Sequence, residues 1–404
     1  MSRLELVGHK DTMPTLELVA KLEGHEDTIN QACILRDEDG VISISQDKTI
    51  RIWLHRSERG SYWPSVCHVL SSSPTCFDFD HDSKKLFIGL ENGTISEFRV
   101  AEDYNRIVHE RYYPSHQGKV SSLLYSSTCQ WLLSAGRDKC FNWYSSETAY
   151  SLGCYQCPQP CTSIQFDSQS KCVFIGDQSG VITMLKLDDN TYKPVTQLRG
   201  HQVSIRFLEW DPLTNMLFSA GVDQVIICWD IGGLKGTAYE LQGHKSKVTS
   251  LIYSRLNKSL ISGGEDCTVV AWNMKSKRIM TPQWSESDCC QRCRKPFFWN
   301  LKAMYELKTL GIRQHHCRHC GKAVCGDCSR QRTSIPAMGF EFEVRVCDEC
   351  FPLFNDTSRV PLASFYNAKH SISYMDLNES KQILLTTGFD RSIKLWNANT
   401  ICNM

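Results

Sequence analysis

The sequence lacks any long uninterrupted apolar run. The chain has 404 residues and 41% of them are hydrophobic, but no stretch approaches the ~20 apolar residues that span a bilayer. The opening segment, MSRLELVGHKDTMPTLELVA, contains no apolar core of the kind that signal peptides carry. We therefore expect a cytoplasmic chain, in which the 21 cysteines stay reduced and either bind metal or pack as small apolar side chains.

An excess of charge of one sign is also missing. The chain has 45 Lys and Arg residues against 44 Asp and Glu residues, which leaves a formal net charge of +1. Without a positive field over the whole molecule, a nucleic acid backbone is not attracted. No nucleic acid is therefore expected as a partner, and any recognition of an anion must depend on a local group of cations.

Catalytic sequence motifs are absent as well. The chain contains neither a glycine-rich loop that cradles phosphate nor a nucleophile elbow. It also has no heptad run that would form a coiled coil. These absences favour a protein that is not an enzyme and that gains avidity from its partners or from self-association.

The sequence does contain an internal repeat, in which Gly-His is followed by Ser or Thr, then Asp, then Trp. In the first copy these residues are His25, Ser43, Asp47 and Trp53. The set recurs as His201, Ser219, Asp223, Trp229; as His244, Ser262, Asp266, Trp272; and as His370, Thr386, Asp390, Trp396. Incomplete copies are marked by His116, Asn92 and Ser179. His25, His201 and His244 each stand 22 residues before the aspartate of their set, and His370 stands 20 residues before its aspartate. Because the histidine recurs at a nearly fixed offset, we assign it a structural role rather than a role in catalysis or metal binding.

The spacing of the copies predicts a β-propeller. Positions equivalent to Asp47 are separated by 45, 46, 41, 44, 43 and 124 residues, and repeats of about 40–45 residues with short alternating strands are typical of propeller blades. With Trp229-Asp230 as the namesake pair, the repeat resembles the WD-repeat family. The seven marked positions predict seven blades, and the resemblance implies that the His, Ser or Thr, Asp and Trp of a blade form a buried hydrogen-bonded chain. Blades two and four lack the set, so we expect packing to hold them. The strand-like segment 15–22 has no blade of its own, so we expect it to close the ring.

The last gap exceeds a normal repeat by roughly 80 residues, which indicates an inserted module. The expected fold is all-β: a seven-bladed propeller with a small cysteine-rich module inserted between blades six and seven. We divide the chain into residues 1–280 for six blades and the closing strand, 281–355 for the module, and 356–404 for blade seven.

The module carries four Cys-x-x-Cys pairs. They are Cys290 and Cys293, Cys317 and Cys320, Cys325 and Cys328, and Cys347 and Cys350. Two pairs supply the four thiolates of a closed tetrahedral zinc site, so eight cysteines predict two Zn²⁺ ions. A module with few large aliphatic residues builds little core, and the metal is expected to supply its folding energy.

Cations flank the second and fourth cysteine pairs, in the segments RQHHCRHCG and RVC. Arginine and histidine donors suit the three acceptor oxygens of a phosphate monoester. The candidate headgroup-binding residues are Arg313, His315, His316, Arg318 and Arg345, with Trp284 and Asp288 ahead of the first pair. These motifs resemble the FYVE family of zinc fingers, and the whole chain resembles the family of WD-repeat and FYVE-domain-containing proteins.

This resemblance implies how the module is built and what it binds. It implies that the first and third cysteine pairs share one zinc and the second and fourth pairs share the other. It also implies a headgroup site for phosphatidylinositol 3-phosphate, with Leu310, Gly311 and Ile312 entering the bilayer. The arm ahead of these three residues has three open interpretations: it packs on the zinc core, docks the module onto the propeller, or touches lipid.

The function expected from these parts is that of an adaptor. The module would hold the chain peripherally on early endosomes, and the propeller would present signalling or trafficking proteins. Two alternatives remain open: a RING-like component of a ubiquitin ligase, which also has eight zinc ligands, and a purely structural zinc module in a protein-interaction scaffold.

Overall fold

The computed structural model describes residues 13–56, 60–232 and 238–402. Within these residues the chain forms seven large β-sheets, which stand around a ring as the blades of a propeller. The first strand of each blade packs beside the first strand of the next blade, and blade seven returns to blade one. The expected all-β, seven-bladed propeller is confirmed.

Blades one to four are each built from four consecutive antiparallel strands, and strand β1 (Leu18–Glu23) precedes them. Blade one contains β2 (Ile29–Ile34), β3 (Gly40–Ser45), β4 (Thr49–Arg56) and β5 (Ser61–Val69). Blade two contains β6 (Pro74–Asp80), β7 (Lys85–Leu90), β8 (Thr94–Val100) and β9 (Ile107–Pro114). Blade three contains β10 (Val120–Ser126), β11 (Trp131–Gly136), β12 (Cys140–Ser145) and β13 (Ser151–Gln156). Blade four contains β14 (Cys161–Asp167), β15 (Cys172–Asp177), β16 (Val181–Leu187) and β17 (Tyr192–Arg199).

The later blades are interrupted by the zinc module. Blade five contains β18 (Ile205–Asp211), β19 (Met216–Gly221), β20 (Val225–Asp230) and β21 (Ala238–Gln242). Blade six begins with β22 (Val248–Ser254), β23 (Ser259–Gly264) and β24 (Thr268–Asn273). The module contains helix α1 (Leu301–Leu307), β25 (His315–His316), β26 (Ala323–Val324), β27 (Arg332–Ile335) and β28 (Phe340–Arg345). After it come β29 (Ala363–Asn367), β30 (Ile372–Asn378), β31 (Ile383–Gly388), β32 (Ser392–Asn397) and helix α2 (Asn399–Cys402).

The module leaves the propeller after β24 and returns at β29, and these two strands pair in one sheet. It therefore follows the three inner strands of blade six and precedes the three inner strands of blade seven. The sequence repeat begins one strand earlier than the structural blade, because the outermost strand of each sheet is the first strand of the next repeat. An insertion between repeats thus leaves the inner strands of both blades intact.

The last blade is completed by both ends of the chain. Strand β1 pairs antiparallel with β32, so its sheet runs β1-β32-β31-β30. Leu22 of β1 is buried in a cluster with Ile29 and Leu395. Pairing of this kind leaves no open seam between the first and last blades.

The hydrophobic core is divided into layers between neighbouring blades. Every residue of strands β3, β11, β15 and β23 is buried, since each of these strands is covered on both faces. Clusters of apolar side chains join adjacent blades, as where Ile52 of blade one packs with Leu86 of blade two. The outermost strands are exposed, and β17 is the clearest example. Among the described residues, no helix is both long and apolar enough to cross a membrane.

The repeated histidine joins three elements of its blade. In blade five, His201 lies 3.0 Å from an Asp223 carboxylate oxygen and 2.7 Å from Ser219 Oγ. Trp229 Nε1 donates to the same hydroxyl at 2.9 Å. The equivalent chains of blades one, six and seven have the same partners. The histidines, hydroxyls and indole rings of these chains are buried, whereas Asp390 of blade seven is exposed. The structural role predicted for the histidines agrees with their contacts.

Blades two and three depart from this pattern. In blade three His116 bonds Ser134 Oγ at 2.9 Å, but Trp143 Nε1 points to the carbonyl of Asp189 instead. Blade two has a different buried network, in which Glu97 accepts a hydrogen bond from the Tyr113 hydroxyl at 2.6 Å. Blade two, which was expected to be held mainly by packing, therefore also contains a buried polar network.

A ring of hydrogen bonds links the innermost strands. The side chain of Gln31 accepts from Phe77 N at 2.9 Å and donates to Phe77 O at 3.0 Å, which joins blades one and two. Backbone N–H groups make equivalent bonds at the other junctions: Tyr125 to Asp78, Ile164 to Ser122, Leu208 to Ser163, Tyr253 to Glu209, Met375 to Ser250, and Ile34 to Asp376. Side chains thus satisfy backbone donors at all seven junctions of the ring.

Candidate zinc centres and headgroup site

The module holds two groups of four thiols. One group is Cys290, Cys293, Cys325 and Cys328, and the other is Cys317, Cys320, Cys347 and Cys350. Within each group the sulfur atoms all lie within 4.8 Å of one another. The first pair is therefore matched with the third and the second with the fourth, which is the crossed arrangement that the resemblance implied.

The spacing of the sulfur atoms suits Zn²⁺. Cys293 Sγ lies 3.7 Å from Cys325 Sγ, and Cys320 Sγ lies 3.9 Å from Cys347 Sγ. A tetrahedral zinc ion with bonds of about 2.3 Å places its ligand sulfur atoms roughly 3.8 Å apart. Each group thus fits one Zn²⁺, and the module fits two.

Backbone N–H groups prepare several thiols for metal binding. Cys325 N lies 3.3 Å from Cys290 Sγ, and Cys347 N lies 3.3 Å from Cys317 Sγ. Burial opposes ionisation of Cys290, but hydrogen bonds from backbone N–H groups outweigh it and lower the pKa of this thiol to about 7. Burial likewise opposes ionisation of Cys317, whose pKa is nonetheless lowered by backbone donors. Donors that favour the thiolate also favour the metal-bound form.

The crossed pairing brings the two cation-bearing segments together. Because Cys317 and Cys347 belong to one group, the residues beside them become neighbours: Arg318 N donates to Arg345 O at 3.0 Å. The Arg345 guanidinium in turn donates to the carbonyl of Ser329. Two segments that are far apart in sequence thus form one face of the module.

His315 belongs to the first of these two segments. It forms the short hairpin β25–β26 with its partner Val324. Burial is the main cause that lowers its pKa, and the charges of four arginines lower the pKa further: Arg345, Arg313, Arg318 and Arg332. Three of these arginines were predicted from the motifs, and all four act on one half-buried ring.

Arg332 is the member that the sequence motifs did not indicate. It lies in β27 and pairs directly with Arg345 of β28 across an antiparallel hairpin. The hairpin turns through Pro336–Met338 and Gly339, whose left-handed φ of 83° suits a turn. Recognition of this Pro-x-x-Gly turn would have predicted the pairing, but no cation motif marks Arg332 itself.

The ring of Trp284 covers part of the same face. It stacks on His316 with ring centroids 4.8 Å apart and an interplanar angle of 12°. The guanidinium carbon of Arg318 lies 4.6 Å from the centroid of the Trp284 ring. His316 Nε2 also lies 3.3 Å from the carbonyl of Ser285. The indole and this carbonyl therefore fix the orientation of two candidate phosphate-binding groups.

Asp288 lies in a different setting from the arginines. It is exposed, and it accepts a hydrogen bond from Trp299 Nε1 at 3.0 Å. Its backbone carbonyl accepts from Phe297 N at 2.9 Å. These contacts place Asp288 at the base of the arm that precedes Arg313.

The three residues predicted to enter the bilayer are not equivalent. Leu310 is 87% exposed, whereas Gly311 is buried and Ile312 is half-buried. Ile312 bridges Phe297 and packs against the zinc core. A Cβ on Gly311 would lie 2.7 Å from Phe298 Cα, so this position has no room for a side chain. Of the three, Leu310 alone presents a large apolar side chain to the surroundings.

The module is attached to blade five as well as to blade six. Strand β28 extends the sheet of blade five through a parallel bridge between Gln242 and Phe340, and Gln242 N donates to Gly339 O at 2.7 Å. Arg278 in the connecting segment donates to Pro336 O at 2.9 Å. The strand that ends at Arg345 is therefore fixed to the propeller.

A propeller of WD type that carries an inserted two-zinc finger with a cationic face defines a two-domain class of binding protein. The family model of the FYVE zinc finger matches residues 282–356. The family model of the WD domain, G-beta repeat, matches residues 16–53, 107–145, 192–230, 236–273 and 359–397. The two blades that it leaves unmatched, two and four, are those that lack the His, Ser or Thr, Asp and Trp set.

Whole-chain relatives share the same two parts. Human WD repeat and FYVE domain-containing protein 2 is 51% identical over 384 residues, which cover 95% of this chain and 96% of the relative. Human WD repeat and FYVE domain-containing protein 1 is 49% identical over 384 residues, with 95% and 93% covered. The chain therefore belongs to the family of WD repeat and FYVE domain-containing proteins. A crystal structure of the WD40 β-propeller domain of Doa1 is similar in fold, with a TM-score of 0.62 and 15% identity over 97% of this chain and all of that one.

Proposed function

We propose that the chain is an adaptor that binds phosphatidylinositol 3-phosphate and recruits protein partners to early endosomes. The observation that carries this proposal is the meeting of separate cation-bearing segments on the zinc module: Arg318 N donates to Arg345 O, and Arg345 pairs with Arg332 across the hairpin. The charges of these three arginines and of Arg313 all act on His315. The net charge of the chain is only +1, so this is a local concentration of cations in a nearly neutral molecule. Such a face suits a compact anionic headgroup better than an extended polyanion.

The chemistry of the face fits a phosphate monoester. Guanidinium groups donate paired, charge-assisted hydrogen bonds to phosphate oxygens, and such bonds are roughly twice as strong as neutral ones. The Trp284 ring and the Ser285 carbonyl hold Arg318 and His316 in place, which reduces the ordering cost on binding. The zinc ions would supply the rigidity of both segments, since each segment begins or ends at a ligand cysteine.

Flotation of the zinc-loaded full chain with vesicles tests the proposal. Vesicles that differ only in their phosphoinositide isomer are compared, and we expect retention with the 3-phosphate lipid well above retention with the 4- or 5-phosphate isomers. Arg313→Ala should reduce retention about tenfold or more, because it removes one charge-assisted phosphate contact from an exposed site.

Arg292→Ala is the matched control. Arg292 is an exposed cation of the same module that pairs with Glu349, and it lies between Cys290 and Cys293 of the other zinc group. It should leave retention unchanged, and zinc content should be the same in both variants. Equal retention of all isomers, or equal losses in the two variants, would contradict the proposed headgroup site.

The two alternative functions predict different results. Each zinc group of the described module is made of cysteines alone, whereas RING-like modules usually include a histidine ligand. Discharge of ubiquitin from a charged conjugating enzyme would support the ligase alternative. Absence of vesicle binding with any phosphoinositide would leave the structural zinc module as the better description.

The role of the propeller is to present partners. A single headgroup site gives weak and reversible attachment, so partners or self-association are expected to add avidity. The loops and rims of a rigid ring are suitable surfaces for signalling or trafficking proteins. We place the chain in the cytoplasm, peripherally bound to early endosomes.

A further inference from the structure

The seven innermost strands enclose a central channel, and one mouth of this channel carries a group of cations. We propose that this mouth binds an extended acidic segment, rich in Asp or Glu, of a partner protein. The inference rests on the proposed adaptor function, to which it adds the face of the propeller that holds a partner and the chemistry of that partner.

The charge at this mouth is the first observation. The cavity there measures about 460 Å³ and is lined by residues of all seven innermost strands. Three cations line it: Lys119 and Arg137 of blade three and Arg206 of blade five. Among the described residues, the one carboxylate in its lining is Asp78, which accepts a hydrogen bond from Tyr125 N at 2.7 Å. Burial raises the pKa of this carboxyl to about 6, so the mouth has an excess of positive charge.

Blade three differs from blade six at the two positions that carry this charge. In both blades the residue before the repeated aspartate donates its backbone N–H to the residue before the first strand: Arg137 to Lys119 at 2.9 Å, and Glu265 to Lys247 at 3.0 Å. In blade six the lysine is paired, because Lys247 Nζ lies 3.2 Å from a Glu265 carboxylate oxygen. In blade three both side chains are cations. Within the part of the chain that the structure describes, Lys119, Arg137 and Arg206 make no ion pair.

The mouth is open, because the zinc module lies elsewhere. Lys119 comes directly before β10, Arg137 lies in the turn between β11 and β12, and Arg206 lies at the start of β18. In an antiparallel blade, the start of the first strand and the turn between the second and third strands share one end. The module leaves blade six after its third strand, β24, which is at the other end, and it docks on the outer strand β21. None of its described residues lines the cavity.

The opposite mouth of the channel has no such excess of cations among its described residues. It is lined by Arg36 and Arg255 together with four carboxylates. Arg255 Nε also lies 3.0 Å from a carboxylate oxygen of Asp211. We therefore expect an acidic segment to bind at one mouth only.

An extended acidic segment is the occupant that the distribution of charge favours. The cations come from blades three and five, with the whole of blade four between them, so they suit charges that are spread along a chain better than one compact phosphate group. Arginine and lysine donate charge-assisted hydrogen bonds to carboxylates, and clusters of arginine are a known means of binding acidic motifs. In blade seven, Phe389 is 49% exposed and lines the same cavity, where it offers a contact for one apolar residue of the segment.

Charge reversal at the mouth tests the inference in the zinc-loaded full chain. Arg137→Glu is compatible with the fold, because Glu91 and Glu265 occupy the same position in blades two and six with the same backbone hydrogen bond. Arg206→Glu removes the exposed cation of blade five. Arg106→Glu is the matched control, since Arg106 is an exposed arginine in the loop between β8 and β9, at the other end of the propeller, and does not line the cavity.

Fluorescence anisotropy with two short labelled peptides provides the measurement. One peptide is rich in Glu and contains a single Leu, and the other has Gln in place of every Glu. We expect the parent and the Arg106→Glu control to bind the acidic peptide alike, and to bind the Gln peptide at least about tenfold more weakly. Arg137→Glu and Arg206→Glu should each weaken binding of the acidic peptide about tenfold or more, because each places a like charge beside it. Vesicle binding should stay at the parent level in all three variants.

The other outcomes would contradict the inference. Equal affinity of the parent for the two peptides, or no binding of either, would overturn it, and so would equal losses in a mouth variant and the control. A loss confined to one of the two mouth variants would show that no segment extends across both blades. Tighter binding of a peptide with one phosphoserine and no Glu would indicate a phosphate site instead. Because the peptides are measured without lipid, these results leave the headgroup site untouched, whereas failure of the parent to bind vesicles with phosphatidylinositol 3-phosphate would refute the proposed function.

Discussion

One Ser or Thr hydroxyl in a blade joins the histidine to the tryptophan, and the hydrogen-bonded chain of that blade is complete only if both contacts are made. In blade five the Ser219 hydroxyl serves two buried partners, His201 and Trp229. In blade three the equivalent Ser134 hydroxyl serves His116 but not a tryptophan, because Trp143 Nε1 points elsewhere. Both serines are fully buried, so the two blades allow a matched comparison between a hydroxyl with one of these partners and a hydroxyl with both.

The replacement Ser219→Ala should therefore destabilise the propeller more than Ser134→Ala. An unsatisfied buried donor or acceptor costs about 1–3 kcal/mol, and Ser219→Ala leaves two such groups where Ser134→Ala leaves one. We expect the free energies of unfolding to differ by about 1 kcal/mol or more, as measured by denaturant unfolding of both variants. Equal losses would show that the Trp229 hydrogen bond contributes nothing to stability.

Most of the candidate headgroup-binding residues could be predicted individually from the sequence. The zinc ligands were identified from four Cys-x-x-Cys spacings, and Arg313, His315, His316, Arg318 and Arg345 were proposed from the segments around them. Arg332 could not be found in this way, because its proximity depends on a hairpin rather than on a metal ligand. The hydrogen bond from Trp299 Nε1 to Asp288 could not be predicted either, because it depends on the conformation of the arm between Cys293 and Cys317.

At the scale of elements, the pairing of β28 with β21 determines how the module sits. Strand β28 carries Arg345 at one end and contacts blade five at the other. Gly339 precedes the strand with a φ of 83°, and a Cβ there would lie 1.8 Å from the carbonyl oxygen of Glu240. The close approach of the two backbones thus requires glycine.

The replacement Gly339→Ala should separate β28 from blade five. The methyl group would meet a backbone oxygen that cannot move aside, and the φ is also unfavourable for alanine. We expect the Gln242 amide, which donates to Gly339 O, to exchange its hydrogen at least about tenfold faster. Zinc content should stay at the parent level.

Gly326→Ala provides the control for this experiment. Gly326 lies in the same module with a φ of −58°, and a Cβ added there would meet open space, with nothing beyond its chain neighbours within 4 Å. Its replacement should leave the exchange of the Gln242 amide unchanged. If Gly339→Ala also leaves that exchange unchanged, the docking is held by Arg278 and the connecting segments alone.

At the scale of the whole molecule, the two domains obtain their stability from different sources. The propeller is held by apolar layers between blades, by polar chains within blades and by the bonds that join β1 to β32. In the module, five of the thirteen residues in the buried cluster are zinc ligands, and the other eight are apolar residues such as Phe297 and Val346. The fold of the module therefore depends on metal to a degree that the fold of the propeller does not.

Removal of zinc with a chelator should unfold the module and leave the propeller folded. The module would become a long loop between β24 and β29, and closing such a loop costs only about 0.6 kcal/mol for each doubling of its length. Calorimetry should then show loss of one transition while the main transition shifts by a few degrees at most. A chelated chain without any cooperative transition would show that the propeller needs the module. Vesicle binding should be lost in the chelated chain.

The sequence by itself determined the number of blades, the polar chains within them, the position of the inserted module and its eight zinc ligands. Each of these features depends on a fixed spacing between residues of one repeat or one motif, such as His201 and Asp223 or Cys317 and Cys320. A chain with this fold needs the same spacings, so they are visible in the sequence. The tertiary structure alone decided that β28 docks on blade five, that Arg332 joins the cationic face and that α1 stands exposed. These features depend on contacts between segments that are far apart in the chain, for which a local pattern gives no signal.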